Sequence, residues 1–152
     1  MYIEVVKNIE DAIKCDELLT ELIFSESKYD KNLKKNYIVK SYFENKYKNK
    51  DNVLYVAKNE ENIIIGYAYC KIITEDKDPT ISHIALLDGL YVKSKYRNQG
   101  IATKLIDKCK NWSNEIGAKI FELNVISKNK NAFELYKKMG FIEVEKKMRL
   151  EL

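Results

Sequence analysis

Three cysteines, Cys15, Cys70 and Cys109, lie far apart and form no C-x-x-C pair. An odd, dispersed set is neither a disulfide framework nor a zinc site. Their apolar neighbours mark them as buried core thiols, and no metal site is expected. No apolar run approaches the ~20 residues needed to span a bilayer. Met1-Tyr2-Ile3-Glu4 opens directly as a strand rather than as a signal peptide. The lysines are scattered singly without a basic block, so neither nucleic acid nor a membrane is an expected partner. Neither G-x-G-x-x-G nor G-x-x-x-x-G-K-S/T occurs, which disfavours the common nucleotide-binding folds. The one proline, Pro79, falls in a predicted loop, and no repeat, low-complexity tract or linker interrupts the chain.

What remains is an ordinary globular composition, 45% hydrophobic and 33% charged over 152 residues. That length suits one domain, residues 1–152, with a real core. A cytoplasmic location is expected. Lys plus Arg exceed Asp plus Glu by four, a mild excess that helps attract an anionic ligand.

Hydrophobic spacing orders the elements. Tyr2 to Val6 reads as a strand, and Asp11 opens a helix carrying Ala12, Cys15, Leu19, Leu22 and Ile23. A second helix is predicted with Ile38, Val39, Tyr42, Phe43 and Tyr47 on one side. Val53–Ala57 and Ile63–Ile73 form a hairpin through Asn59-Glu60-Glu61-Asn62. After the loop 74–80 come a strand from Ile81 to Val92, a helix from Ile101 to Ile116 ended by Gly117, and a strand from Lys119 to Val125. A short helix, Ala132–Met139, is ended by Gly140, and Phe141 to Leu152 is predicted to return as a strand. Early hairpins followed by a β–α–β unit indicate an α/β (α+β) domain built on a single sheet.

The strongest signal is the passage from strand to helix at Leu90-Tyr91-Val92 and Arg97-Asn98-Gln99-Gly100-Ile101-Ala102-Thr103, which reads Arg-x-x-Gly-x-Ala. Such a turn gathers free backbone N–H groups and the positive end of a helix dipole, a setting for phosphate. Gly100 and Ala102 leave room for close approach, and Arg97 adds a permanent charge. About thirty residues on stands Asn129-Lys130-Asn131-Ala132-Phe133-Glu134-Leu135-Tyr136-Lys137-Lys138-Met139-Gly140-Phe141.

Together, in this order and spacing, the two segments resemble the GNAT (Gcn5-related) N-acetyltransferase family. The first matches its Q/R-x-x-G-x-G/A pyrophosphate loop and the second its N-x-x-A-x-x-x-Y-x-x-x-G-F helix. The likeness covers the second half of the chain well and the first half only in its order of elements. It implies a mixed, mostly antiparallel sheet flanked by helices, with strands 4 and 5 splayed to admit acetyl-CoA. It further implies that the pantetheine arm pairs with the backbone of Leu90, Tyr91 and Val92, and that the pyrophosphate meets Arg97 and the amides of Asn98 to Thr103. Asn129 then contacts the cofactor, caps the helix, or does both. Ser94 and Asn98 stand where many relatives have proline and glycine, departures that remove no backbone donor.

The implied reaction is direct transfer of an acetyl group from acetyl-CoA to a primary amine. Tyr136, with an ordinary pKa of about 10, would protonate the departing thiolate; the plainer reading is an aromatic packed on the apolar face. Asp88 would serve as base, directly or through water; strand alternation predicts it on one face with Leu90 and Val92, and the plainer reading has it capping a bulge with Gly89. His83, the sole histidine, is expected on the opposite face with a structural role. Glu21, Glu26, Asp30, Tyr29, Tyr37 and Tyr42 are candidates for the acceptor wall, or simply a solvated face and core. The acceptor is a small-molecule amine or a peptide or protein amine; the short tail suggests a relatively open cleft, which favours a peptide or protein amine over an enclosed small molecule. A non-catalytic acyl-CoA-binding regulatory module is the alternative, and a homodimer through a late strand is open to the chain.

Overall fold

A computed structural model of the protein describes residues 1–73 and 83–152. The predicted loop 74–80 and the start of the following strand lie outside the described residues. The elements are β1 (Tyr2–Val5), α1 (Ile9–Glu26), β2 (Asn52–Lys58), β3 (Ile64–Ile73), β4 (Ile84–Val92), α2 (Ile101–Glu115), β5 (Ile120–Leu123) and α3 (Lys130–Lys138). The five strands form one sheet in sequence order. All neighbours are antiparallel except β4 and β5. This is the mixed, mostly antiparallel sheet expected.

Each helix starts and stops where the side chains direct. Asn8 Oδ1 accepts the Asp11 amide at 2.8 Å, so α1 begins two residues ahead of the expected start. Gly117, at φ +82, ends α2 by letting the Ala118 amide return to the Ser113 carbonyl at 2.9 Å. The two faces of the sheet carry separate cores. Ile101, Leu105, Ile106 and Cys109 of α2 pack on Val53, Ala68, Cys70, Ala85 and Leu87. On the other face Ala12, Cys15 and Leu18 of α1 meet Leu54, Val56, Tyr67, Tyr69 and Phe43. All three thiols are free and buried, as expected. Among the described residues no helix is long and apolar enough to cross a membrane.

Two predicted elements do not form. The segment expected as a second helix around residues 38–47 is a run of turns. Its apolar residues still face inward, Phe43 at 1% exposure, but its amides are taken by α1. Asp16 Oδ1 accepts the Phe43 amide at 2.9 Å, Thr20 Oγ1 accepts the Val39 amide at 3.0 Å, and Ser41 sits at φ +59. Side chains from a neighbouring helix have replaced the helix's own acceptors. Burial pushes the Asp16 carboxyl above the usual range, and the backbone amides of residues 41–43 hold it partly back. The second difference is the C-terminus: Ile142–Leu152 forms no strand, because no strand of the described chain lies beside it.

Asp16→Ala should therefore lower unfolding free energy by about 2 kcal/mol, the range for a buried hydrogen bond to a charged group. Denaturant unfolding checks this, and proteolysis should locate the loosened segment between residues 38 and 47.

Candidate active site

β4 has two different halves. Ile84 to Leu87 pair with Ile120 to Leu123, where β5 ends. Asp88 to Val92 keep β3 on one side but, among the described residues, have no strand on the other. Backbone groups along that edge await a partner. This is the splay that the motifs implied.

A bulge sits where the halves meet. Tyr69 pairs with Gly89 and Cys70 with Leu87, leaving Asp88 as the extra residue. The insertion reverses the alternation, which corrects one expectation. Ala85 and Leu87, then Leu90 and Val92, pack on the α2 face, whereas Asp88 points the other way, its Oδ2 2.9 Å from Lys71 Nζ. Tyr42 lies near it, its hydroxyl pushed up first by burial and then by the Asp88 charge. Gly89 cannot be replaced freely: a Cβ there would stand 2.9 Å from the Tyr67 hydroxyl. That hydroxyl is buried without a partner, and burial raises its pKa well above the ordinary value.

Beyond Val92 the chain makes a tight turn at Ser94–Tyr96 and enters α2 through Asn98 at φ +60 and Gly100 at φ +76. Two left-handed residues with one residue between them turn the neighbouring N–H groups outward, a setting for anions. Lys104 is the first helix amide with a backbone acceptor, the Gly100 carbonyl at 3.1 Å. Among the described residues no backbone carbonyl accepts from Gln99 to Thr103. Ile101 is buried in the α2-face core and Ala102 packs against it, so side chains anchor the turn while its amides stay free. Nothing lies within 4 Å of the position a Gly100 Cβ would take. Free amides, open space and a helix dipole fit a pyrophosphate. Arg97 stands at the mouth of this turn. Its Nε donates to the Val92 carbonyl at 2.8 Å and its guanidinium lies 5.3 Å from the Tyr91 ring centre, so it braces the turn.

α3 closes the site from the other side. Asn129 Oδ1 accepts the Ala132 amide at 3.2 Å, which makes it the N-cap. Gly140, at φ +94, returns the Phe141 amide to the Tyr136 carbonyl at 3.0 Å. That return sets the Phe141 ring 5.9 Å from Tyr136 and 5.7 Å from Phe121 of β5. Tyr136 is half-buried, and its hydroxyl is pushed up to about 12 by burial and then by the Glu26 charge. Burial also raises Glu26. His83 is exposed, and its carbonyl accepts the Lys119 amide at 3.2 Å. Lys71, Tyr67 and the closeness of Glu26 to Tyr136 were not legible in the sequence, since only strand register and the placing of α1 bring them here.

The sequence model of the acetyltransferase (GNAT) family matches residues 17–141, most of the chain, and the chain belongs to that family. A thialysine N-epsilon-acetyltransferase of Sus scrofa is 43% identical over 54 residues, 36% of this chain and 32% of that one. The chain spans less than half the length of the curated relatives it matches. Among solved structures, a Bacillus halodurans protein superposes with a TM-score of 0.88 over 100% of this chain and 99% of its own, at 18% identity. An aminoglycoside N-acetyltransferase in complex with CoA does so with a TM-score of 0.76 over 99% and 98%, at 16% identity. These likenesses show the GNAT fold.

Gly100→Trp should fold and lose acetyl-CoA binding by at least about tenfold in titration calorimetry. A side chain at φ +76 costs about 1–2 kcal/mol of stability. Gly117→Ala carries the same kind of strain at φ +82, away from the turn, and should leave binding intact.

Proposed function

We propose that the protein transfers the acetyl group of acetyl-CoA to a primary amine by direct attack in a ternary complex. One observation carries this reading: the edge of β4 that is unpaired among the described residues leads, through the turn at Ser94–Tyr96, to a row of free amides at the start of α2. A thioester threaded along that edge supplies an activated carbonyl. Leu90, Tyr91 and Val92 hold its arm as an added strand would be held. Asn98 to Thr103 take the pyrophosphate through backbone N–H groups, Arg97 keeps their turn in shape, and Asn129 keeps α3 in register. Holding two reactants in line is worth about 7–11 kcal/mol, more than any single proton transfer offers.

Tyr136 is the acid. Its hydroxyl, at about 12, keeps its proton at neutral pH. An ordinary thiol ionises near 8.5, well below the Tyr136 hydroxyl, so full transfer from Tyr136 to a free thiolate is uphill. The hydroxyl therefore acts first as a hydrogen-bond donor to the developing thiolate and gives up its proton late. Asp88 is the base, and it acts through water: Lys71 lies 2.9 Å from its Oδ2, and a water ordered by the carboxylate relays the proton of the amine to it. Glu26 and Asp88 together make the cleft attractive to a cationic acceptor. The names of thialysine and aminoglycoside acetyltransferases among the similar proteins support an amine of that kind.

Tyr136→Phe should lower kcat by about 100-fold with the KM for acetyl-CoA within about twofold. Unchanged kcat would remove Tyr136 from the mechanism. Because the wild-type hydroxyl stays protonated, its advantage over the Phe variant should persist at pH 10, where an ordinary tyrosine is half ionised. Asp88→Asn should lower kcat most at neutral pH and recover part of it as rising pH deprotonates the amine unaided. Acetyl-CoA binding without transfer to any polyamine, aminoglycoside, amino acid or N-terminal peptide would favour the acyl-CoA-binding regulatory module instead.

A further inference from the structure

Asp88, the proposed base, already holds an amine. Lys71 Nζ lies 2.9 Å from its Oδ2, and the two side chains are 34% and 32% exposed, so the pair is reachable from solvent. Strand register brings them together. Lys71 stands opposite Leu86 and shares the α1 face of β3 with Tyr67 and Tyr69. The extra residue of the bulge turns Asp88 onto that same face. Aromatic rings stand around the pair: Tyr42 meets Tyr69 edge-on with ring centres 6.2 Å apart, and Tyr42 is the other ionisable group close to Lys71.

Lysine is common in this chain, and position sets Lys71 apart. Lys58 is held as closely, 2.7 Å from Glu4 and 2.8 Å from Asp11, but it is buried where β2 meets β1, with β3 between it and β4. Among the described residues only Lys71 makes an ion pair with a residue of β4. In the proposed reaction the phosphates of the donor lie at the start of α2 and its arm along Leu90, Tyr91 and Val92. Gly89 and Asp88 are then the next residues in line, beside the acetyl end. The Lys71 amine stands at the base, on the strand paired with that edge, where the amine of an acceptor has to arrive. Without an acceptor, it is the nucleophile at hand.

We propose that the protein acetylates itself on Lys71 when no acceptor amine is bound, an inference that rests on the transfer reaction proposed above. One proton of the Lys71 ammonium passes to Asp88 and on to water. The freed nitrogen pair attacks the thioester carbonyl, an N–C bond forms, and the C–S bond breaks with its electrons on sulfur. Tyr136 protonates the thiolate and regains its proton at the expense of the second one lost by the nitrogen. The products are a neutral Nζ-acetyl amide and the free CoA thiol, with no oxidant or reductant required. The Asp88 hydrogen bond holds the Lys71 ammonium above the ordinary lysine range, so the amine is rarely free and the self-transfer is slow. Once acetylated, Lys71 has lost its charge and Asp88 its cation. The added group then stands where the acceptor enters, so the modification limits the enzyme when acceptor is scarce.

Wild-type protein incubated with isotopically labelled acetyl-CoA and no acceptor should carry one acetyl group per chain, about 42 Da, counting any already present on isolation. Peptide mapping should locate it at Lys71. Because donor and amine sit on one chain, the rate per chain should hold across an about tenfold range of protein concentration. Proximity should make Lys71 react at least about 100-fold faster than exposed lysines such as Lys34 and Lys35, which report direct chemical acetylation. Gly100→Trp should lose the Lys71 label and keep that background. Lys71→Arg, which keeps a cation beside Asp88, should take up the background alone. Transfer to a panel of polyamines, aminoglycosides and amino acids is measured alongside. Acetylated acceptor with Lys71 unmodified would overturn the self-acetylation and leave the proposed function standing. Neither product, with acetyl-CoA bound in calorimetry, would overturn both. Equal labelling of Lys71 in wild type and Gly100→Trp, or label spread evenly over the exposed lysines, would also overturn the proposal.

Discussion

β4 is nine residues long and β5 four, so the parallel pairing that closes the first half of β4 cannot close the second. A strand edge left open inside a protein must be covered by water, by another chain or by a ligand, since its N–H and C=O groups still need partners. Here the open edge leads at once into the start of α2, where a second set of amides is free. The turn at Ser94–Tyr96, whose own amides at Tyr96 and Arg97 bond to Lys93 and Ser94 carbonyls, brings the two sets to the same end of the sheet. Remove the early end of β5, and β4 would be paired throughout, with no cleft.

The bulge at Asp88 is the second consequence of the same strand. A one-residue insertion reverses which side chains face which core. It sends Leu90 and Val92 into the α2-face core, and Asp88 to the opposite face beside Lys71 and Tyr42. Gly89 and Tyr67 hold the insertion in place by close contact, the ring filling the volume a Cβ would need. A buried hydroxyl without a partner is a cost the structure bears at this spot. Above it, the Phe121–Phe141–Tyr136 series of rings fixes α3 against β5, so the hydroxyl of Tyr136 is placed by packing from two elements. Burial then raises its pKa, which keeps it a donor and limits how readily it releases its proton.

The first half of the chain is a wall rather than a donor of the motif chemistry. α1 supplies Asp16 and Thr20 to organise the turns of residues 38–47, and its end brings Glu26 toward Tyr136.

Local rules determined much of this protein. The caps at Asn8 and Asn129, the stops at Gly117 and Gly140 and the Arg97–Thr103 turn act within a few residues, so spacing and residue type suffice to read them. Pairing of two such segments about thirty residues apart was enough to indicate the family. Periodicity also identified which residues of 38–47 face the core, yet not their conformation, because the acceptors for those amides sit some twenty residues or more away on α1. The alternation of the tail predicts a strand, but a strand needs a neighbour, and only the fold reveals that none of the strands among the described residues stands beside it. The Asp88–Lys71 ion pair, the reversal at the bulge and the placing of Glu26 depended on strand register and helix docking. Those are set by the summed packing of distant residues, which no local window of sequence contains.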